Sequence, residues 1–192
     1  MSSIQNNEQG CSRIITFFDE VDDVSVHQAI LAIHEINEED KLLNQDFLTT
    51  YPKAIPPPPL PIILDIQSVG GCVRDGFSLI AAIEQSNAPV HTRVNGYAFS
   101  MAFLIFLAGK ERYMSRHAEV MYHQLSSSSE GTLFEIQQDI LVSERLLKQM
   151  EAYVLERTQV SLTTLSQAYT QQLDVYFSPT ESLSLGIATK II

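Results

Sequence analysis

Residues 61–66, Pro-Ile-Ile-Leu-Asp-Ile, constrain the fold of this chain more than any other segment. A near-continuous apolar run of this length is typical of a strand buried on both faces of a parallel sheet. The glycine pair Gly70-Gly71 follows, and apolar periodicity over residues 74–85 then predicts a helix. Strand, tight turn and helix in this order predict an α/β fold with right-handed crossover connections.

The same alternation continues along the rest of the chain, whose 192 residues suit one domain. Strands are predicted at 13–18, 89–95, 112–114, 120–123, 174–177 and 187–192. Helices are predicted at 24–35, 100–109, 132–158 and 161–171, with a short helix ending at Gly186. Residues 1–12 are polar and predicted to be a flexible N-terminal segment, so the folded domain should span 13–192.

Residues 37–60 interrupt the alternation and resemble an insertion, which becomes Pro-rich over about residues 41–60. Four consecutive prolines at 56–59 favour an extended polyproline conformation and exclude a helix there. The whole segment is therefore predicted to be a loop or spacer.

The composition restricts the partners and the compartment. A net charge of −11 argues against nucleic acid or an anionic membrane, since both attract clustered Lys and Arg. Two cysteines make no disulfide framework and indicate a reducing compartment. The N-terminus has no signal-peptide pattern, and the longest apolar run, residues 98–108, is shorter than the roughly 20 residues that span a bilayer. We expect a soluble, cytoplasmic protein.

Ser100 lies where a predicted strand ends and an apolar helix begins, within Gly-Tyr-Ala-Phe-Ser-Met-Ala at 96–102. Gly71 precedes it by 29 residues and His123 follows it by 23. A hydroxyl nucleophile, a base and backbone N–H donors at a glycine turn are the components that acyl transfer requires. Serine is also a preferred N-cap residue, so Ser100 alone does not establish this chemistry.

Neither the base nor its orienting acid is fixed by spacing. The chain has five histidines, of which His123 ends a short apolar strand and could emerge at a sheet edge. Asp174, between Leu173 and Val175, is one candidate acid; Asp65, within an apolar strand, is the rival.

Several motifs taken together resemble a known family. Gly-Gly-Cys-Val at 70–73, the segment 96–102, Val-Met-Tyr-His-Gln at 120–124 and Asp-Val-Tyr-Phe-Ser at 174–178 occur in the order found in the proteolytic subunit of the Clp protease family, ClpP. The resemblance covers about residues 13–192. It implies a crotonase/ClpP-like fold, a repeated ββα superhelix with a protruding handle helix.

The resemblance also implies a role for each candidate residue. Ser100 would be the nucleophile, His123 the general base and Asp174 the acid that orients it, and the N–H groups of Gly71 and Met101 would form the oxyanion hole. Substrates would be peptides and unfolded proteins. The aromatic Tyr97 and Phe99 are bulkier than the usual residues and are expected to reshape the specificity pocket.

Assembly follows from the same resemblance. The long helix from Thr132 would be the handle through which two heptameric rings stack into a tetradecamer enclosing the active sites. A hexameric AAA+ ATPase would unfold and deliver protein substrates. The chain has no phosphate-binding glycine loop with Lys-Ser/Thr, so no cofactor is expected and ATP would belong to that partner.

Three other functions stay open at the level of sequence. The chain could be a non-catalytic structural subunit of a mixed Clp-type ring, because residues around Ser100 differ from the family pattern. It could be a crotonase-type acyl-CoA enzyme, which shares the fold. It could also be a processing protease with one dedicated substrate and no ATPase.

Overall fold

The computed structural model describes residues 13–171 and 173–192. The predicted flexible segment 1–12 lies outside them. The strands are β1 Arg13–Phe17, β2 Ile62–Ser68, β3 Val90–Phe99, β4 Arg112–Met114, β5 Glu119–Tyr122, β6 Val175–Phe177 and β7 Lys190–Ile191. The helices are α1 Asp23–Thr50, α2 Val73–Gln85, α3 Met101–Leu107, α4 Leu133–Arg157, α5 Leu162–Thr170 and α6 Pro179–Ser184.

The seven strands form one sheet. Five of them lie side by side in the order β1-β2-β3-β4-β7, and each neighbouring pair among these five is parallel. β2 is buried at six of its seven positions, as its continuous apolar sequence predicts. β3 has two partners on its far side: Thr92–Val94 pair with β4, and Tyr97–Phe99 pair with β5. β5 then pairs antiparallel with β6. The α/β prediction is confirmed.

Helix α3 forms the centre of the core. Every residue from Met101 to Leu107 is fully buried, which explains why this segment is apolar on all sides. The Phe103 ring packs against the rings of Tyr122 in β5 and Phe177 in β6, at centroid distances of 6.4 and 6.0 Å. These contacts fix the ends of β5 and β6 relative to the start of α3.

Helix α1 corrects the prediction for residues 37–60. Asp22 and Ser25 form a capping box at its start, but the helix ends at Thr50 rather than near residue 35. Its buried face stops at Ile36, so the apolar periodicity ends there. Residues 37–50 contain no Gly or Pro and many good helix formers, so the helix continues although none of these residues is buried. Between α1 and β2, residues 51–61 form neither helix nor strand, in agreement with the prediction for the four prolines.

Helix α4 projects from the rest of the fold. Thr132 and Glu135 form a capping box at its start, where the sequence placed it. Met150 and Val154, near its end, are its buried residues, whereas Leu133, Phe134, Ile140 and Leu141 are exposed. The apolar character of its first half is therefore not explained by packing within the chain. Across the described ranges, no helix combines the length and the apolar character needed to cross a membrane.

The burial pattern of α1 predicts opposite results for two alanine substitutions. Ile33 is fully buried, so Ile33→Ala should lower the free energy of unfolding by about 2–5 kcal/mol. Leu43 is 66% exposed, so Leu43→Ala should change it by less than about 0.5 kcal/mol. Urea unfolding at one protein concentration checks both. A large loss for Leu43→Ala would show that the projecting part of α1 contributes to the core.

Candidate active site

Ser100 connects β3 to α3 in a strained backbone conformation. Its φ of 55° and ψ of −122° make it the one non-glycine residue with positive φ in the described part of the chain. Such a conformation costs about 1–3 kcal/mol, and it is typical of sites where surrounding structure holds a functional residue. The Ser100 N–H donates to the carbonyl oxygen of Met121 at 2.8 Å. The side chain makes no capping hydrogen bond to α3, so the hydroxyl is available for another partner.

That partner is His123. The residue follows β5, and the parallel pairing of Phe99 with Met121 brings the ends of β3 and β5 side by side. The imidazole Nε2 lies 2.6 Å from the Ser100 Oγ, so the hydroxyl can donate to an unprotonated Nε2. Of the five histidines, this is the one that contacts Ser100. His27, His34 and His117 are exposed, and the His91 Nδ1 lies 3.2 Å from the Tyr113 hydroxyl.

The Gly70-Gly71 turn packs directly against Ser100. Gly70 has φ of 99°, and a Cβ there would lie 2.7 Å from both the Phe99 carbonyl oxygen and the Ser100 Cβ. At Gly71, where φ is 148°, a Cβ would lie 2.3 Å from the carbonyl oxygen of Val21. Both positions therefore require glycine.

Two backbone donors remain free beside the hydroxyl. Within the described chain, neither the Gly71 N–H nor the Met101 N–H donates a hydrogen bond to another residue. The Gly70-Gly71 turn packs closely against Met101, because a Cβ on Gly70 would lie 3.0 Å from the Met101 nitrogen. Unpaired N–H groups next to a nucleophile are the donors that an oxyanion hole needs. The role assigned to Gly71 and Met101 stays a prediction.

His123 immediately follows β5 and Asp174 immediately precedes β6, and no hydrogen bond joins them. β5 and β6 are antiparallel with Tyr122 opposite Val175, so the next positions outward are His123 and Asp174. The Asp174 side chain is exposed, and no hydrogen bond between the described residues joins its carboxylate to the imidazole. The structure thus forms the serine–histidine pair and places the predicted acid at the neighbouring strand end, without closing the triad.

Asp65, the rival acid, has other partners. Asp65 is 7% exposed, and its carboxylate accepts hydrogen bonds from Arg93 Nη2 at 2.7 Å, Arg93 Nε at 3.2 Å and Asn95 Nδ2 at 3.1 Å. The hydrogen bond to Asp65 raises the pKa of the Arg93 guanidinium. Asp65 therefore neutralises the Arg93 guanidinium on the neighbouring strand β3 and is not available to orient His123.

One aromatic residue near the site was not singled out by sequence. Tyr176 in β6 packs edge-on against Phe99, with ring centroids 5.9 Å apart, and Phe99 lies 5.1 Å from the Tyr97 ring. The sequence predicted a strand at residues 174–177, in which alternate side chains point to opposite faces. It did not show which strand pairs with β6, so the neighbours of Tyr176 were not evident. No group of three or more His, Cys, Asp or Glu side chains in residues 13–171 and 173–192 is placed to hold a metal ion.

A parallel α/β sheet with a serine hydroxyl and an imidazole paired at a strained strand-to-helix turn is the arrangement typical of serine hydrolases. The family model described as Clp protease matches residues 56–192. The chain therefore belongs to the Clp protease family, which confirms the resemblance and the ClpP-like fold.

Two curated relatives give the extent of the similarity. The chain is 29% identical over 137 residues to a protein named ATP-dependent Clp protease proteolytic subunit 2 from Synechococcus sp. (strain CC9605), covering 68% of this chain and 66% of that one. It is 30% identical over 141 residues to ATP-dependent Clp protease proteolytic subunit 1 from Chlamydia muridarum (strain MoPn / Nigg), covering 70% and 71%. The matched region thus spans about two thirds of the length of each relative.

The glycine geometry predicts the effect of adding a methyl group beside Ser100. Gly71→Ala should slow covalent labelling of Ser100 by a small fluorophosphonate by about 100-fold, because the collision with Val21 displaces a candidate oxyanion donor. Gly96→Ala is the control, since its Cβ meets mainly the movable end of the Gln67 side chain. Equal labelling rates in the two folded variants would remove Gly71 from the oxyanion hole.

Proposed function

We propose that this protein is a serine endopeptidase that cleaves peptides and unfolded proteins. The observation that carries the proposal is the 2.6 Å approach of His123 Nε2 to the Ser100 Oγ at a strained junction. A serine hydroxyl is a weak nucleophile until a base removes its proton, and this distance permits that transfer. Membership in the Clp protease family supports peptide bonds as the target.

The proposed reaction proceeds through an acyl-enzyme. His123 Nε2 takes the hydroxyl proton as Ser100 Oγ attacks the carbonyl carbon of the scissile bond. The N–H groups of Gly71 and Met101 donate to the oxyanion of the tetrahedral intermediate. His123 then gives the proton to the leaving amine, which breaks the C–N bond and leaves an ester on Ser100. Water, deprotonated by the same imidazole, hydrolyses that ester.

Asp174 is the proposed orienting acid. An acid bonded to the far ring nitrogen fixes the tautomer and stabilises the imidazolium that forms during the reaction. The β5–β6 register supports this role, because His123 and Asp174 are the next residues beyond the last pair, Tyr122 and Val175. The Asp174 carboxylate must still move onto the ring, and we propose that it does so when the subunit is assembled.

A non-catalytic ring subunit is the second candidate. The observation that favours it is the exposed Asp174 carboxylate, which leaves His123 without an orienting partner among the described residues. Such a subunit would keep the serine–histidine pair and show no peptide hydrolysis above that of its Ser100→Ala variant.

Substitutions in the proposed triad separate the two candidates. Ser100→Ala and His123→Ala should each lower kcat for a fluorogenic peptide by about 10⁴-fold or more, and Ser100→Ala should abolish fluorophosphonate labelling. Asp174→Asn should lower kcat by about 10⁴-fold if the acid orients the ring. The control Asp46→Asn, on the exposed part of α1, should have no effect. Activity that survives Ser100→Ala would contradict the peptidase proposal.

We propose assembly into heptameric rings stacked as a tetradecamer through α4, with the active sites facing an enclosed chamber. The exposed apolar side chains in the first half of α4 support this, since a helix with such residues normally buries them against a partner. The chain needs no cofactor of its own in this mechanism. A separate AAA+ ATPase would unfold protein substrates and deliver them.

One charge on α4 tests the assembly. Ile140→Asp should convert the large assembly into smaller species on size-exclusion chromatography with light scattering, and peptide hydrolysis should fall with it, because the carboxylate cannot be buried at the interface. Gln138→Asp adds the same charge at an exposed polar position of the same helix and should leave both unchanged. Full activity in a stable small species of Ile140→Asp would show that the triad does not depend on assembly.

A further inference from the structure

Residues 55–61, which we call the proline segment, lie between the end of α1 and the start of β2. Two of its prolines, Pro56 and Pro59, are half-buried. The residues beside them are exposed: Ile55, Pro57, Pro58 and Leu60. Burial in this part of the segment therefore recurs at every third residue.

This period is that of a polyproline II helix. Proline fixes φ at about −65°, so four prolines in succession favour this extended helix, which has three residues per turn. Residues three apart lie along the same edge of such a helix. The edge that carries Pro56 and Pro59 therefore faces the rest of the chain, and the other two edges present the four exposed side chains to solvent.

The proline segment is held in place beside α1. Arg13 in β1 donates through Nη2 to the carbonyl oxygen of Leu60 and through Nη1 to the Asp40 carboxylate in α1, the latter at 2.5 Å. On the side of α1, the Tyr51 N–H donates to the carbonyl oxygen of Phe47 at 2.8 Å. A stiff strand fixed near both ends loses little conformational entropy when a ligand covers it.

Core packing does not account for the exposed side chains of the proline segment. Ile55 is 91% exposed, a higher fraction than any other large apolar side chain in residues 13–171 and 173–192, and Leu60 is 54% exposed. A single exposed apolar residue is ordinary on a protein surface, but here four lie close together along one stiff strand. Their apolar surface leaves water only when a partner covers it.

The chemistry of the proline segment indicates the kind of partner that fits it. Polyproline helices bind in grooves lined by aromatic side chains, which pack against the exposed edges of the helix. The backbone of such a helix makes no internal hydrogen bonds, so its carbonyl oxygens accept hydrogen bonds from tyrosine and tryptophan side chains in the groove. The exposed Lys53 is the one Lys or Arg between Lys41 and Arg74. An acidic side chain at one end of the groove would therefore fix the direction of binding.

We propose that the proline segment is a docking site for a partner protein with an aromatic-lined groove of the kind that binds proline-rich strands. The proposal does not depend on peptidase activity. The segment leads into β2 at Ile62, whereas the Gly70-Gly71 turn follows the other end of β2, about 20 Å further along the strand. A partner bound to the segment leaves Ser100 accessible, so docking recruits the protein without competing with its substrate.

The test titrates the full chain with three purified modules that have such grooves, namely an SH3, a WW and an EVH1 domain. At least one of them should bind with a Kd of about 100 µM or tighter by isothermal titration calorimetry. Pro58→Glu should weaken that binding by about tenfold or more, because a carboxylate on an outward edge would be buried against apolar rings. Gln45→Glu adds the same charge at an exposed position of α1 and should leave the affinity unchanged.

Two further measurements show that the effect belongs to the proline segment. The circular dichroism spectrum of Pro58→Glu should match that of the unmodified protein, because Pro58 is exposed. A synthetic peptide of residues 53–61 should displace the bound module. Binding weaker than about 1 mM for all three modules overturns the proposal, and so does equal binding by folded Pro58→Glu. A smaller assembly of Pro58→Glu on size-exclusion chromatography would also overturn it, because a second copy of this chain would then be what covers the segment.

Discussion

The pairing of β3 with strands on both sides is the constraint on which the whole site depends. β3 lies parallel to β2 along its length and parallel to β5 at its end. Because parallel strands finish at the same edge of a sheet, the glycine turn after β2, Ser100 after β3 and His123 after β5 meet at one place. None of the three is near another in sequence. A shift of β3 by one residue would turn Phe99 into the core and move Ser100 away from the imidazole.

Strain at Ser100 is tolerated because its neighbours fix the backbone on every side. The N–H of Ser100 is held by Met121, the Gly70 turn fits against its Cβ, and α3 begins at the next residue inside the core. Burial of seven consecutive apolar residues in α3 gives far more free energy than the roughly 1–3 kcal/mol that the positive φ costs. The same packing that stabilises the fold therefore holds the hydroxyl toward His123. A change that relaxed the backbone at Ser100 would increase local stability but lose the alignment of the hydroxyl with His123.

Sequence reasoning succeeded where local signals and the fold agree. The sequence predicted the buried strand β2, the start of α4 at Thr132 and a serine at a strand–helix junction. The family resemblance then selected His123 among the five histidines. The end of α1 was not readable, because its apolar face stops at Ile36 while helix formers continue to Thr50. Asp65 looked like a candidate acid because its partner Arg93 lies on the neighbouring strand, 28 residues away in sequence. Tyr176 joined the site only through strand pairing, which sequence alone did not supply.

Two groups of side chains in the single chain lack a partner among the described residues, and one segment of the chain connects them. The first half of α4 exposes apolar residues, and Asp174 has not engaged the imidazole of His123. The segment 123–132 joins His123 directly to α4 without helix or strand, and it is tied to that helix by the hydrogen bond from Ser129 to Asp139 at 2.5 Å. A partner that buries the start of α4 must therefore also set the position of this segment. His123 is the first residue of this segment, so a change in the position of the segment can reach the imidazole. In the proposed assembly, burial of α4 and closure of the triad are then parts of one equilibrium, since a partner that prefers one arrangement of α4 also selects the matching position of His123.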